Sequence, residues 1–171
     1  ICDIPEITYG FGGAIEWKGF DVSIFFQGTA RVSLFEEGST IVPFSSGYKN
    51  NDGFLRGVME NRWTVDNPDP NARYPRTIRP SDALDNNNTK KSSFWVRNAA
   101  FLRLKNAEIG YTFPKRWMEK MAIQNLRLYV SGVNLLTWAP DQHLFDPDLG
   151  SGDGRKYPPT RVFNVGLNIN F

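Results

Sequence analysis

The densest set of chemically capable side chains lies in Asp141-Gln142-His143-Leu144-Phe145-Asp146-Pro147-Asp148, which continues to Asp153. Carboxylates this close together can ligate Ca²⁺, and the chain's single histidine, near Asp146, could exchange protons. Calcium loops, however, place ligands at alternating positions and close on a glutamate, and no Glu follows Glu119. The segment therefore reads as a solvated connection shaped by Pro140, Pro147 and Gly150, with no metal and no cofactor expected. A Ser/His/Asp elbow, a phosphate-binding glycine loop and a second histidine are all missing, so no catalytic residue can be named and an enzyme is not expected. Cys2 is the one cysteine; it lacks a disulfide partner within the chain and the spacing partner of a zinc or redox motif.

Aromatic side chains are the second resource. Trp63, Tyr74, Phe94 and Trp95 could stack on the rings of a sugar, although packing within their own segment competes for the same side chains. With 13 Phe, 6 Tyr and 5 Trp in 171 residues, the chain carries far more aromatic surface than a disordered segment does, and one domain's worth of ordered structure follows. Twenty Lys+Arg against 18 Asp+Glu gives a net charge of +2. That lacks the basic excess a nucleic-acid partner needs, and it is too balanced for an acidic tail.

Strands must position these residues. Residues 7–17 alternate, with Ile7, Tyr9, Phe11, Ile15 and Trp17 on one side and Thr8, Ala14 and Glu16 on the other. Lys18-Gly19 supplies a two-residue turn, after which Phe20, Val22, Ile24 and Phe26 face one way and Asp21, Ser23 and Gln27 the other, with Phe25 as the misfit. Further strands are expected over about 101–113, 125–138 and 161–171, the last putting Phe163, Val165, Leu167, Ile169 and Phe171 at every second position. Leu102 and Leu104 have the wrong parity for their strand, which implies a bulge near Lys105 or an upper half beyond an apolar environment. Pro114 at a first helical position suggests one or two turns of helix between the third and fourth strands. Asp52 is positioned to cap another short helix carrying Phe54, Leu55, Val58 and Met59.

No run approaches 18 consecutive apolar residues, so no helix here can span a bilayer, and a strand barrel is the remaining way to do so. The first residues have no initiator Met, basic region or apolar stretch, and read as a processed chain or a piece of a longer one. In a meander of five strands the short connections, 18–19 and 114–123, fall at one end, and the long ones, about 31–99 and 139–160, at the other. Outer-membrane barrels have this asymmetry, with short periplasmic turns and long extracellular loops. Trp17, Phe20, Tyr111, Phe113, Trp117 and Phe171 gather at the short end, as an interfacial girdle would. On the opposite face Glu16, Asp21, Gln27, Glu108, Arg127 and Asn164 would hydrate an interior or touch a passing solute. A soluble β-sandwich binding carbohydrate through its aromatics is the alternative, since its strands alternate in the same way.

A series of motifs bears on this choice. Asn61-Arg62-Trp63-Thr64, Asn67-Pro68, Tyr74-Pro75-Arg76, Ser93-Phe94-Trp95-Val96, Phe101-Leu102-Arg103-Leu104-Lys105-Asn106, Ile109-Gly110-Tyr111-Thr112-Phe113-Pro114, Leu126-Arg127-Leu128-Tyr129-Val130-Ser131-Gly132-Val133-Asn134-Leu135 and Tyr157-Pro158-Pro159-Thr160-Arg161, ending in Phe171, occur in this order. Together with Tyr9-Gly10, Trp17-Lys18-Gly19-Phe20-Asp21 and Phe26-Gln27-Gly28, they make the chain resemble the C-terminal portion of SusC/RagA-type TonB-dependent outer-membrane transporters. The resemblance implies an all-β fold: the last five antiparallel strands of a transmembrane barrel of about 22 strands. It also implies import of oligosaccharides or oligopeptides, a SusD-like surface lipoprotein as lid, and TonB engaged through a part of the protein not present here. Phe163, Val165, Leu167, Ile169 and Phe171 resemble the signal read by the barrel assembly machinery. The expected surroundings are the lipid bilayer of the bacterial outer membrane.

Overall fold

The computed structural model describes residues 2–38, 40–42, 55–77, 88, 90–118, 123–141, 144–152 and 155–171. The described residues run through seven strands: β1 Ile7–Trp17, β2 Phe20–Ala30, β3 Ser33–Phe35, β4 Val96–Asn98, β5 Phe101–Thr112, β6 Asn125–Trp138 and β7 Val162–Asn170. Two short helices accompany them, α1 Arg56–Glu60 and α2 Lys115–Met118. Five strands form one antiparallel sheet in the order β1-β2-β5-β6-β7, while β3 and β4 make a separate pair between β2 and β5.

The ladder lines like residues up across all five strands. One row is Ile15, Val22, Ile109, Val130 and Val165; the next is Gly13, Ile24, Ala107, Gly132 and Phe163. Rows on the other face read Ala14, Ser23, Glu108, Ser131, Asn164 and Glu16, Asp21, Gly110, Tyr129, Gly166. A period of two thus separates an apolar face from a polar one. The apolar face is open: Ile15 is 74%, Phe163 71% and Val165 76% exposed. In a soluble sandwich a second sheet would cover it. The only other sheet among the described residues is the β3–β4 pair, which belongs to the loops, so the sandwich alternative is set aside. An apolar face of this extent is stable against lipid, and β1 and β7, each paired on one side only, leave edges for neighbouring strands of a barrel.

The parity break in β5 is a bulge. Phe25 pairs with Asn106 and Phe26 with Leu104, leaving Lys105 as an extra residue, so Leu102 and Leu104 return to the apolar face. The irregularity passes into β6, where Asn106 pairs with Val133 and Leu104 with Leu136, and Asn134 takes a left-handed φ of 55°. Phe25 keeps its place on the polar face because Gly10 and Gly12 of β1 leave room for its ring: a Cβ at Gly10 would stand 3.0 Å from it. Helix α2 follows Pro114 for one turn, as the proline suggested. Helix α1 begins later than expected, with Leu55 at its N-cap and no side-chain cap; Asp52 and Phe54 lie outside the described residues.

Apart from Phe101 at the start of β5, the buried apolar side chains sit in the long connections and not within the five-stranded sheet. Ile41, Val42, Val58, Tyr74 and Trp95 form one cluster, Val32, Leu34 and Ala99 another, and Phe145 packs against both. The described parts of the 31–99 and 139–160 connections therefore share a core and fold as one cap over that end of the sheet.

Candidate functional site

On the polar face, near the short connections, Arg127 of β6 reaches across β5. Its guanidinium donates to both Asp21 carboxylate oxygens and, at 2.6 Å, to Glu108. It can do so because Gly110 lies between them: a Cβ there would come within 2.6 Å of Arg127 Nη2 and 2.7 Å of Asp21 Oδ1. Tyr129 lies under the same guanidinium, 5.0 Å from ring centre to Cζ, and over Gly166 of β7. Of the polar residues expected on this wall, Asp21, Glu108 and Arg127 are thus one ion-paired unit, and Glu16 stands opposite Asp21 in the ladder. Paired charges along a water-facing wall present polarity without an unpaired buried charge.

The cap is organised by two charged centres that sequence reasoning missed. Glu36, with its side chain fully buried, pairs with Arg73 at 3.0 Å and with Arg97 at 3.1 Å. The Tyr74 hydroxyl lies 3.4 Å from its second oxygen and accepts from Arg73 Nε at 3.1 Å. Burial, reinforced by the Glu36 carboxylate, pushes the Tyr74 hydroxyl above the ordinary phenol range. Burial lowers the Arg73 pKa, but its bonds to Glu36 and Tyr74 outweigh that and leave it raised. The second centre is Arg103 of β5, buried to 1% exposure, which donates to Thr137 Oγ1 at 3.0 Å, to Asp146 at 2.5 Å and to Asp148 at 3.4 Å.

Arg103 explains the carboxylate-rich segment. Asp146 and Asp148 neutralise a buried guanidinium, and Asp146 also accepts from the Asp148 amide at the start of the 3₁₀ turn Pro147–Leu149. Asp141 accepts from the Asn98 amide at 2.9 Å. These three carboxylates pin the 139–160 connection to the sheet and to β4, and no metal-holding group of His, Cys, Asp and Glu occurs among the described residues. His143 and Asp153 lie outside them. The same connection docks on β3 through Gly152, whose amide donates to the Phe35 carbonyl at 3.0 Å, and through Ser151 Oγ, which accepts from the Phe35 amide at 2.9 Å.

The four aromatics proposed as stacking surfaces divide. Tyr74 is 1% and Trp95 3% exposed, with ring centroids 6.4 Å apart in the cap core. Trp63 is half-buried, its amide donating to the Tyr74 carbonyl at 2.9 Å. Phe94 is exposed at 45%, standing edge-on to Trp95 at 5.0 Å with Arg97 5.8 Å from its centroid. A cleft of about 510 Å³ opens in the cap beside Phe35, Glu37, Val42, Lys90, Lys91 and Trp95. Tyr74 and Trp95 are therefore core residues, with Trp95 at the wall of the cleft, and Phe94 is the most exposed of the four. The residues Phe163, Val165, Leu167, Ile169 and Phe171 lie along the edge strand and its end, each at least 40% exposed.

No protein-family model matches the chain. Among curated proteins it is 30% identical over 180 residues to "TonB-dependent receptor P3" of Formosa agariphila, across 98% of this chain and 16% of that protein. It is 30% identical over 89 residues to "TonB-dependent receptor SusC" of Bacteroides thetaiotaomicron, across 47% of this chain and 8% of that protein. Among solved structures, the RagAB peptide importer in its "closed-closed" state superposes with a TM-score of 0.71 at 24% identity, over 99% of this chain and 18% of that one. The chain thus spans about a sixth of the length of the Formosa relative, whose 16% coverage sets that fraction.

Proposed function

Because the chain is a C-terminal portion of a SusC/RagA-type TonB-dependent receptor, we propose that it supplies a stretch of wall and part of the extracellular cap of an outer-membrane nutrient importer. The observation that carries this reading is the two-faced sheet. One face is continuously apolar and open, and the other carries the Asp21–Arg127–Glu108 unit, with a folded cap at one end only. Such a sheet suits lipid on one side and a water-filled, plugged interior on the other. The cap then faces outward, the short connections face the periplasm, and the chain performs no chemistry of its own.

The imported solute is an oligosaccharide or an oligopeptide, taken up with a SusD-like lipoprotein seated over the cap and with energy from TonB acting on a part of the receptor outside this chain. The likeness to receptors named SusC and RagAB supports this pairing. Phe94 and the cleft beside Trp95 are this chain's candidates for touching the solute or the lipoprotein. Phe163, Val165, Leu167, Ile169 and Phe171 form the strand that the barrel assembly machinery pairs with, since an exposed edge of alternating apolar residues is open to strand addition before the barrel closes.

The test begins with the full-length receptor, which should be recovered from membranes only with detergent; a receptor that stays monodisperse in plain buffer overturns the reading. Growth of a deletion strain on defined glycans against defined peptides then separates the two solute classes. A strain that grows like its parent on both overturns the import reading.

A further inference from the structure

The short-connection end carries a rim that transport leaves unused. Phe20, Tyr111, Phe113 and Trp117 follow one another with ring centroids 4.6, 5.1 and 6.1 Å apart, from the β1–β2 turn to α2. The Thr112 amide donates to the Gly19 carbonyl at 2.7 Å, which sets that turn beside the start of the next connection. Three cations stand on this rim. Lys18 Nζ lies 4.8 Å from the Trp17 ring centre, and Lys115 and Arg116, both exposed, open α2. None of the three joins a salt bridge among the described residues. The carboxylates next to them in sequence, Glu16 and Asp21, pair across the ladder on the polar face, and Asp21 is held by Arg127. Glu119 and Lys120 lie outside the described residues.

Aromatic girdles sit at the depth of lipid headgroups, and long cationic side chains beside them extend their charge toward that layer. Exposed cations at this depth that meet no carboxylate among the described residues face one abundant anion, the headgroup phosphate. We propose that Lys18, Lys115 and Arg116 form a binding surface for anionic phospholipid headgroups in the leaflet around the short-connection end. This rests on the barrel reading, with that end in the periplasmic leaflet, where phospholipid and not lipid A supplies the phosphate. The aromatic chain fixes the depth of the rim and the cations select the headgroup.

The experiment uses the full-length receptor, stripped of lipid in detergent and titrated with equal amounts of phosphatidylglycerol and phosphatidylcholine. Native mass spectrometry reads the lipid retained. Wild type should favour phosphatidylglycerol, with roughly fivefold of the preference lost per cation removed. Lys18→Gln/Lys115→Gln/Arg116→Gln should therefore lose most of it, while the charge-keeping Lys18→Arg/Lys115→Arg/Arg116→Lys retains it. Heat-modifiability confirms that each variant is folded, and the single neutralisations are read if the triple does not fold. Equal retention of both lipids by wild type, or an unchanged preference in the neutralised receptor, overturns the proposal. Lipid A retained in preference to phosphatidylglycerol, through the same cations, overturns the assignment to the phospholipid leaflet. A receptor that needs no detergent overturns the barrel reading itself, so the two failures are told apart.

Discussion

Replacing Ile24 by arginine probes the assignment of the two faces at the depth where it matters most. Ile24 lies four residues along β2 from Phe20, which belongs to the aromatic rim, and its side chain is on the open apolar face. A strand rise of about 3.3 Å places it about 13 Å along the strand. With a tilt of about 40°, that is about 10 Å along the bilayer normal, close to the middle of an apolar band about 25 Å tall. Arginine at that depth should cost about 2 to 4 kcal/mol, falling to about 0 to 1 for Phe20→Arg at the rim. Ser23→Arg is the control: one residue away at nearly the same depth, but on the polar face in the row with Glu108. It should be close to neutral. Urea titration of the full-length receptor in a lipid environment, followed by tryptophan fluorescence, reads all three. Equal losses for Ile24→Arg and Ser23→Arg, or a larger loss at Phe20 than at Ile24, would refute both the faces and the depth.

Three further outcomes follow from the packing. Glu36→Gln removes the carboxylate that pairs with both Arg73 and Arg97 in the buried centre, so the cap should lose about 3 kcal/mol; hydrogen exchange at the residue-36 amide, which donates to Trp95, should speed up about 100-fold, and an unchanged rate would show that the pair does not hold the cap. Gly166→Ala should cost about 1 to 3 kcal/mol because its Cβ would collide with the Tyr129 ring; Tyr129→Ala in the same chain should relieve the loss, whereas Gly13→Ala, with nothing within 4 Å, should be near neutral. Deleting Phe171 from the full-length receptor should lower the amount assembled in the outer membrane far more than the Tm of what does assemble; a fall in Tm alone would make Phe171 an interfacial anchor, since it is 80% exposed to the surroundings of the sheet.

The strands of the sheet were legible because a half-covered strand writes its environment into every second residue. Ile15, Val22, Ile109, Val130 and Val165 share one row, and each could be placed on its face before its neighbour was known. Phe25 looked out of place only because the compensating glycines, Gly10 and Gly12, belong to another strand. The break at Leu102 and Leu104 was visible, but that it and Asn134 belong to one irregularity was not, because a bulge passes to the next strand through the ladder. Nothing pointed to β3 and β4: three residues each, some 60 apart, they are too short to show a period.

The cap's chemistry was harder to read for a related reason. Tyr74 and Trp95 are aromatic whether they stack on a ligand or fill a core, and only the fold shows that they fill a core. Glu36 and Arg103 did leave a trace: each is a charge set among apolar residues, Leu34-Phe35-Glu36 and Leu102-Arg103-Leu104. A charge in such a setting needs a buried partner. Asp146-Pro147-Asp148 reads as a solvated connection from sequence because nothing local shows that its carboxylates meet a guanidinium buried in a distant strand.

The central claim is that this sheet crosses the outer membrane with its cap outside. Labelling of single cysteines in intact cells with a membrane-impermeant maleimide tests it most directly, in a full-length receptor whose native cysteines, Cys2 among them, are replaced by serine. Val65 and Tyr157, 80% and 83% exposed in the long connections, should label when changed to cysteine. Lys18→Cys, in the short β1–β2 turn, should label only after the cells are opened. Labelling of Lys18→Cys in intact cells with Val65→Cys and Tyr157→Cys protected would reverse the topology, and equal labelling of all three would contradict the membrane-spanning sheet itself.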